Sequence, residues 1–166
     1  MPNYSSALQE WKQTLGEGNV ICDTESIGFY TQNVGGLEGK IPAVIKPHSL
    51  EEVQQLILIA NRYETPLWAF STGRNWGLGS RLPVKDDCVV VDLHEMNRIR
   101  EINTLHGYVV IEPGVTQGLL WDYLNENNLP FVFDATGSGR DTSIIGNQLI
   151  KLRKSSQDTA LRLLSH

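Results

Sequence analysis

Between Pro66 and Ser80 the chain passes from an apolar, aromatic-rich run into small residues and glycines. Leu67-Trp68-Ala69-Phe70 gives way to Ser71-Thr72-Gly73-Arg74-Asn75-Trp76-Gly77-Leu78-Gly79-Ser80. This pattern predicts a buried strand that ends in a loop able to bring backbone N–H groups close to an anion. No Asp or Glu occurs from Pro66 through Lys85, whereas Arg74 and Arg81 do, so the loop is locally positive within an acidic chain. A plain glycine-rich turn is the alternative reading. A Walker loop would need a lysine after the glycines, and none follows. A Rossmann fingerprint would need a third glycine where Leu82 stands, ahead of Pro83.

Bulk properties set the outer limits. A chain of 166 residues, 40% of them hydrophobic, is sized for a single domain with its own core. A net charge of −5 gives no reason to expect nucleic acid or an anionic membrane as partner. No apolar run approaches transmembrane length, and Met1-Pro2-Asn3-Tyr4-Ser5 lacks the charged start of a signal peptide. Cys22 and Cys88 form neither a C-x-x-C nor a zinc spacing, so a reduced, cytoplasmic protein is expected. His48, His94 and His106 are scattered, and no metal site is expected.

Along the chain, Ser5 or Ser6 is expected to cap a first helix with Leu8, Trp11 and Leu15 on one face, stopped at Gly16 and Gly18. Residues 19–40 read as an irregular connection. Ala43–Ile45, bracketed by prolines, predicts a short strand. Ser49 with Glu52 forms a capping box before a helix striped with Val53, Leu56, Ile57 and Ala60. Leu67–Phe70 and Cys88–Asp92 predict two more strands, and strand–helix–strand implies a small parallel sheet with a right-handed crossover. Ile99–Asn103 and Tyr108–Glu112 predict an antiparallel hairpin turning at His106-Gly107. Thr116 is expected to cap a helix ended by Asn127-Asn128, followed by a short strand at Phe131–Phe133.

Several segments share a pattern in this order: Pro42-Ala43-Val44-Ile45-Lys46-Pro47-His48-Ser49-Leu50-Glu51-Glu52-Val53, the 71–79 loop, Glu112-Pro113-Gly114-Val115, and Thr142-Ser143-Ile144-Ile145-Gly146-Asn147. Together they resemble the FAD-binding part of the vanillyl-alcohol-oxidase/p-cresol-methylhydroxylase flavoproteins, nearest to the branch acting on para-substituted phenols. The loop matches that family's strand-S-x-G-(R/K)-N-x-G-x-G diphosphate cradle. The resemblance implies an α+β fold: a PCMH-type FAD-binding domain with a small βαβ subdomain and the beginning of a second α+β subdomain, incomplete at the C-terminus. Its parts would be an N-terminal helix and connection at 1–40, the partial FAD-binding domain at 41–147, and an atypical basic tail at 148–166. There the family continues into T-x-(D/E)-R-G-x-G-Y, whereas this chain reads Gln148-Leu149-Ile150-Lys151 and its charge balance shifts from −8 to +3. A truncated or frame-shifted reading is expected.

The same resemblance implies FAD as cofactor and supplies its site. Ser71, Thr72, Gly73, Arg74, Asn75 and Gly77 would hold the diphosphate. Pro113 and Gly114 would pass near the cofactor. Gly137, Ser138, Thr142, Ser143, Gly146 and Asn147 would run along the flavin. For Arg74 a surface salt bridge is the alternative role. Asn75 stands where some relatives carry a flavin-bonded histidine, so that attachment is not implied. Trp68 and Trp76 are expected to pack rather than stack on flavin, and Glu112 and Asp134 to be structural. The implied parent reaction is oxidation of a 4-substituted phenol or aryl alcohol, with hydride transfer to flavin N5. The phenolic substrate would be met only in a full-length form, and no residue here is assigned to catalysis. The alternative is a non-catalytic remnant or interaction module without useful FAD binding. An interrupted sheet further predicts self-association or a complementary fragment.

Overall fold

The computed structural model describes residues 3–74, 81–133 and 139–146. Its first unit opens with helix α1, Tyr4–Leu15, which buries Ala7, Trp11 and Leu15. The cap is Asn3, whose side chain accepts from the Ser6 N–H at 3.2 Å; Ser5 and Ser6 lie inside the helix instead. An Asn side chain is as good an N-cap as Ser, and its earlier position adds a turn. Gly16, at φ +91°, ends the helix as expected.

Residues 19–40 are more ordered than the sequence suggested. They contain strand β1, Val20–Ile21, and helix α2, Thr24–Thr31. Asp23 caps α2 by accepting from the Ser26 N–H at 2.8 Å. The helix carries Gly28 mid-length and buries only Tyr30, so it shows little apolar periodicity. After strand β2, Val44–Ile45, Ser49 caps α3, Leu50–Arg62, by accepting from the Glu52 N–H at 3.1 Å. Glu52 returns a bond to the His48 N–H at 2.7 Å, closing the expected box one residue earlier than the cap itself.

Strands β3, Leu67–Phe70, and β4, Val89–Asp92, complete a four-stranded sheet in the order β1-β2-β4-β3. The two pairings among β2, β4 and β3 are parallel as anticipated, but β1 adds an antiparallel edge and β4 inserts between β2 and β3. All four β4 residues are buried, as suits a strand covered on both faces. One face carries α1 and α3 around Trp11, Ile45, Leu56 and Val89. The opposite face meets α2 through Tyr30, Ile41, Val44, Leu82 and Val90.

The second unit begins with the hairpin β5, Ile99–Asn103, and β6, Tyr108–Ile111, which turns through Gly107 at φ +65°. Thr116 caps helix α4, Gln117–Glu126, accepting from the Leu119 N–H at 3.1 Å. Residues 131–133 form no strand. They follow Pro130 in extended coil against Val115, Leu120 and Leu124, with no ladder partner among the described residues.

Candidate functional site

The parallel strands β3 and β4 end side by side, with Phe70 opposite Asp92. From Phe70 the chain runs directly into Ser71, Thr72, Gly73 and Arg74. The segment 139–146 is delivered to this point by α4 and its cap. The Gln117 and Gly118 N–H groups donate to the Thr142 and Arg140 carbonyls at 2.9 and 2.8 Å. Ile144 N–H donates to Val115 O at 3.2 Å, and Thr116 bridges Ser143 in antiparallel fashion. Arg140 fastens the segment from outside by a two-toothed bond to Asp122 at 2.6 and 2.7 Å.

The two loops then lock together through hydroxyls. Ser71 Oγ and Ser143 Oγ share a short hydrogen bond. The Ser143 N–H donates to Thr72 Oγ1 at 3.2 Å, and the Gly146 N–H donates to Ser143 Oγ at 3.2 Å. Residues 71 and 72 thus meet 143 and 146 across more than seventy positions of sequence. Thr142 and Ser143 are buried, so each hydroxyl needs a partner.

Charge is distributed unevenly around this junction. Arg74 is ion-paired with Asp141 at 3.2 Å, both side chains largely exposed. Behind the loop, buried Asp92 accepts from the Tyr30 hydroxyl at 3.0 Å and from the His94 N–H at 3.1 Å. Burial pushes the Tyr30 phenol well up, and the Asp92 charge beside it adds to the rise, so it remains a neutral donor. Glu112, 3% exposed, receives Arg98 and Arg100 at 3.2 and 2.9 Å. Burial alone would raise its carboxyl; the Arg98 backbone N–H and the two guanidiniums outweigh that and hold it below the ordinary range. Glu112 therefore fixes the hairpin to the Pro113-Gly114 turn, in keeping with a structural role.

Gly114 is fixed against the 94–96 backbone. Its N–H donates to Met96 O at 2.7 Å, and a Cβ there would meet His94 O at 2.2 Å, so this close backbone approach requires glycine. Pro113-Gly114 leads into Val115 and Thr116, which meet Ile144 and Ser143. Asn75, Gly77, Gly137, Ser138 and Asn147 lie outside the described residues, as do Trp76 and Asp134. Trp68 packs against the Tyr30 and Val90 cluster. Among the described residues no group of His, Cys, Asp and Glu could hold a metal ion, and no helix is long and apolar enough to cross a membrane.

The donor set suits a phosphorylated ligand. Gly73 turns at φ +65°, opening the loop's backbone, while hydroxyls and guanidiniums gather at one sheet end. Sequence reasoning missed the contribution of α2, which brings Phe29 and Tyr30 to this end. Asp23 with Glu25 in the following turn was the available signal of a helix start.

Comparison with known proteins gives the class. The FAD binding domain family matches residues 41–150, and the chain belongs to it, in the PCMH-type fold with FAD as cofactor. It is 39% identical over 141 residues to 1'-carboxy-chondrochloren decarboxylase of Chondromyces crocatus, covering 85% of this chain and 26% of that protein. It is 33% identical over 149 residues to the flavoprotein subunit of 4-cresol dehydrogenase [hydroxylating] of Pseudomonas putida, covering 88% and 29%. The solved structure of p-cresol methylhydroxylase with substrate bound superposes with a TM-score of 0.80 at 34% identity, covering 88% of this chain and 29% of that one. The chain thus spans between a quarter and a third of the length of these relatives.

Proposed function

We propose that this chain is the cofactor-binding part of a flavin-dependent oxidoreductase whose whole form oxidises a 4-substituted phenol or aryl alcohol. The observation that carries this reading is the junction of the 71–74 loop with the 142–146 turn at the end of a parallel sheet. In it the Ser71, Thr72, Gly73 and Arg74 loop, with Asn75 and Gly77 following, supplies donors to the diphosphate. The turn at Thr142, Ser143 and Gly146 lines the flavin side with its backbone, together with Asn147 and the Gly137-Ser138 segment, and Pro113-Gly114 borders it. The Ser71–Ser143 pair ties the two loops to one another at this point. When bound, the flavin supplies a two-electron acceptor at N5. The domain comprises residues 41–147, preceded by a helix and connection at 1–40 and followed by a basic tail at 148–166. The phenolic substrate is supported by the likeness to 4-cresol dehydrogenase and p-cresol methylhydroxylase.

Titrating the full chain with FAD, followed by flavin fluorescence, tests the binding part. Saturable binding is expected, and Gly73→Asp should weaken it by about tenfold or more, because a side chain and a negative charge would enter beside phosphate. Unaltered affinity in a folded Gly73→Asp protein would take the loop out of the site. Turnover of 4-alkylphenols or vanillyl-type alcohols is not expected from the 166 residues alone. Colourless protein indifferent to added FAD would support the other reading, a non-catalytic module that keeps the fold. Self-association, or pairing with a complementary fragment, is favoured by Tyr108, Val110, Trp121 and Val132, which leave apolar surface exposed on the second unit. Sedimentation at micromolar concentration checks it, and a compact monomer would refute it.

A further inference from the structure

We propose that Arg81, stacked on Phe29 and close to Phe70, is the principal cation facing the diphosphate of the bound dinucleotide. This rests on the reading of the 71–74 loop as the diphosphate site. The two arginines nearest that loop differ in how their charge is used. Arg74 already spends its charge on Asp141 at 3.2 Å. Arg81 has no carboxylate partner among the described residues. Its Cζ stands 4.4 Å from the Phe29 ring centroid and 5.9 Å from that of Phe70.

Stacking on rings orients a guanidinium without neutralising it. A ring contact uses the face of the guanidinium, and the N–H groups lie in its plane, the arrangement suited to a phosphate. Arg81 also lies against the loop itself. A Cβ on Gly73 would meet Arg81 Cγ at 2.6 Å and Nε at 3.0 Å, so the arginine stem occupies the space a side chain would fill. The buried acid opposite Phe70, Asp92, has its oxygens committed to the Tyr30 hydroxyl and the His94 N–H. Helix α2 thereby gains a purpose: it carries Phe29, half-exposed, to pin the cation, and Tyr30 to occupy Asp92. Arg81 is thus a preorganised cation at the loop's turn, kept from neighbouring carboxylates.

The full chain titrated with FAD, with ADP as a probe lacking the flavin and riboflavin as one lacking diphosphate, decides the matter. Arg81→Gln keeps most of the stem and removes the charge. It should weaken FAD and ADP by about tenfold, the size of one charge-assisted hydrogen bond, and leave riboflavin unchanged. Arg74→Gln should change FAD affinity by no more than about twofold, as befits an exposed pair. Wild-type FAD affinity in Arg81→Gln, with loss in Gly73→Asp, overturns the role of Arg81 and leaves the loop reading intact. Wild-type affinity in Gly73→Asp removes both. Should Arg81→Gln fail to fold, the half-exposed Phe29→Leu decides. A loss of about threefold supports the pinning, since a cation–π contact is worth roughly 0.5–1 kcal/mol at such a site, and unchanged affinity overturns it.

Discussion

The two units of this chain are built to different depths. In the first, Trp11, Ile45, Leu56, Val89 and Val90 are fully buried, and the sheet is covered on both faces. In the second, the buried apolar side chains among the described residues are Val115, Leu120 and Leu124, and the hairpin turns Tyr108 and Val110 to solvent. A two-stranded ribbon depends for its stability on the helix packed against it. The difference places the proposed site on a rigid floor, the ends of β3 and β4, and gives it a softer wall, the turn at 142–146. Binding then has more to order on the wall than on the floor.

The sharpest way to break this contrast is in the deep core. Trp11→Ala removes a fully buried ring whose Nε1 donates to Leu56 O at 3.1 Å. It should cost about 3–5 kcal/mol and unfold both units together, seen as one transition in denaturant. Leu120→Ala should cost less, about 2–3 kcal/mol, because its half-open surroundings can collapse. Hydrogen exchange would show amides of 99–126 opening while β4 stays protected; equal opening of both units would end the contrast. Gly114→Ala tests the seam, where the 94–96 backbone must move, and should lower stability by about 1–3 kcal/mol.

Acid provides a gentler probe. The Glu112 carboxyl is held low in the folded chain, so its contribution is fully present above the unfolded value of roughly 4.3 and is lost as pH falls through the lower folded value. Thermal scans below pH 4 should show the second unit weakening ahead of the first, and Glu112→Gln should flatten that dependence. The smallest effect belongs to Arg74→Ala, about 0–1 kcal/mol for an exposed pair. A larger loss in thermal unfolding would mean that Arg74 ties the loop to the turn.

What the sequence made legible follows the same division. The strand at Leu67–Phe70, the caps at Ser49 and Thr116 and the turn at Gly107 are local signals, and each stands where expected. Helix α2 escaped because Gly28 and an exposed Phe29 erase the stripe that burial usually writes. Phe131–Phe133 misled for the opposite reason: aromatic residues suited to a strand pack as coil when no neighbour offers a ladder. The meeting of Ser71 with Ser143, and of Arg81 with Phe29, depends on tertiary placement that no local pattern records.

The insertion of β4 between β2 and β3 carries a consequence for how the sheet assembles. When Val44–Ile45 and Leu67–Phe70 have been made, neither parallel strand has its neighbour, because the strand that joins them is translated last. Closure therefore waits for Val89–Asp92 to emerge, and three segments must then come together across a long loop in one step. Until that moment the edges later destined for the proposed phosphate site stand open, so this region matures last and is the one a nascent chain must keep from pairing elsewhere.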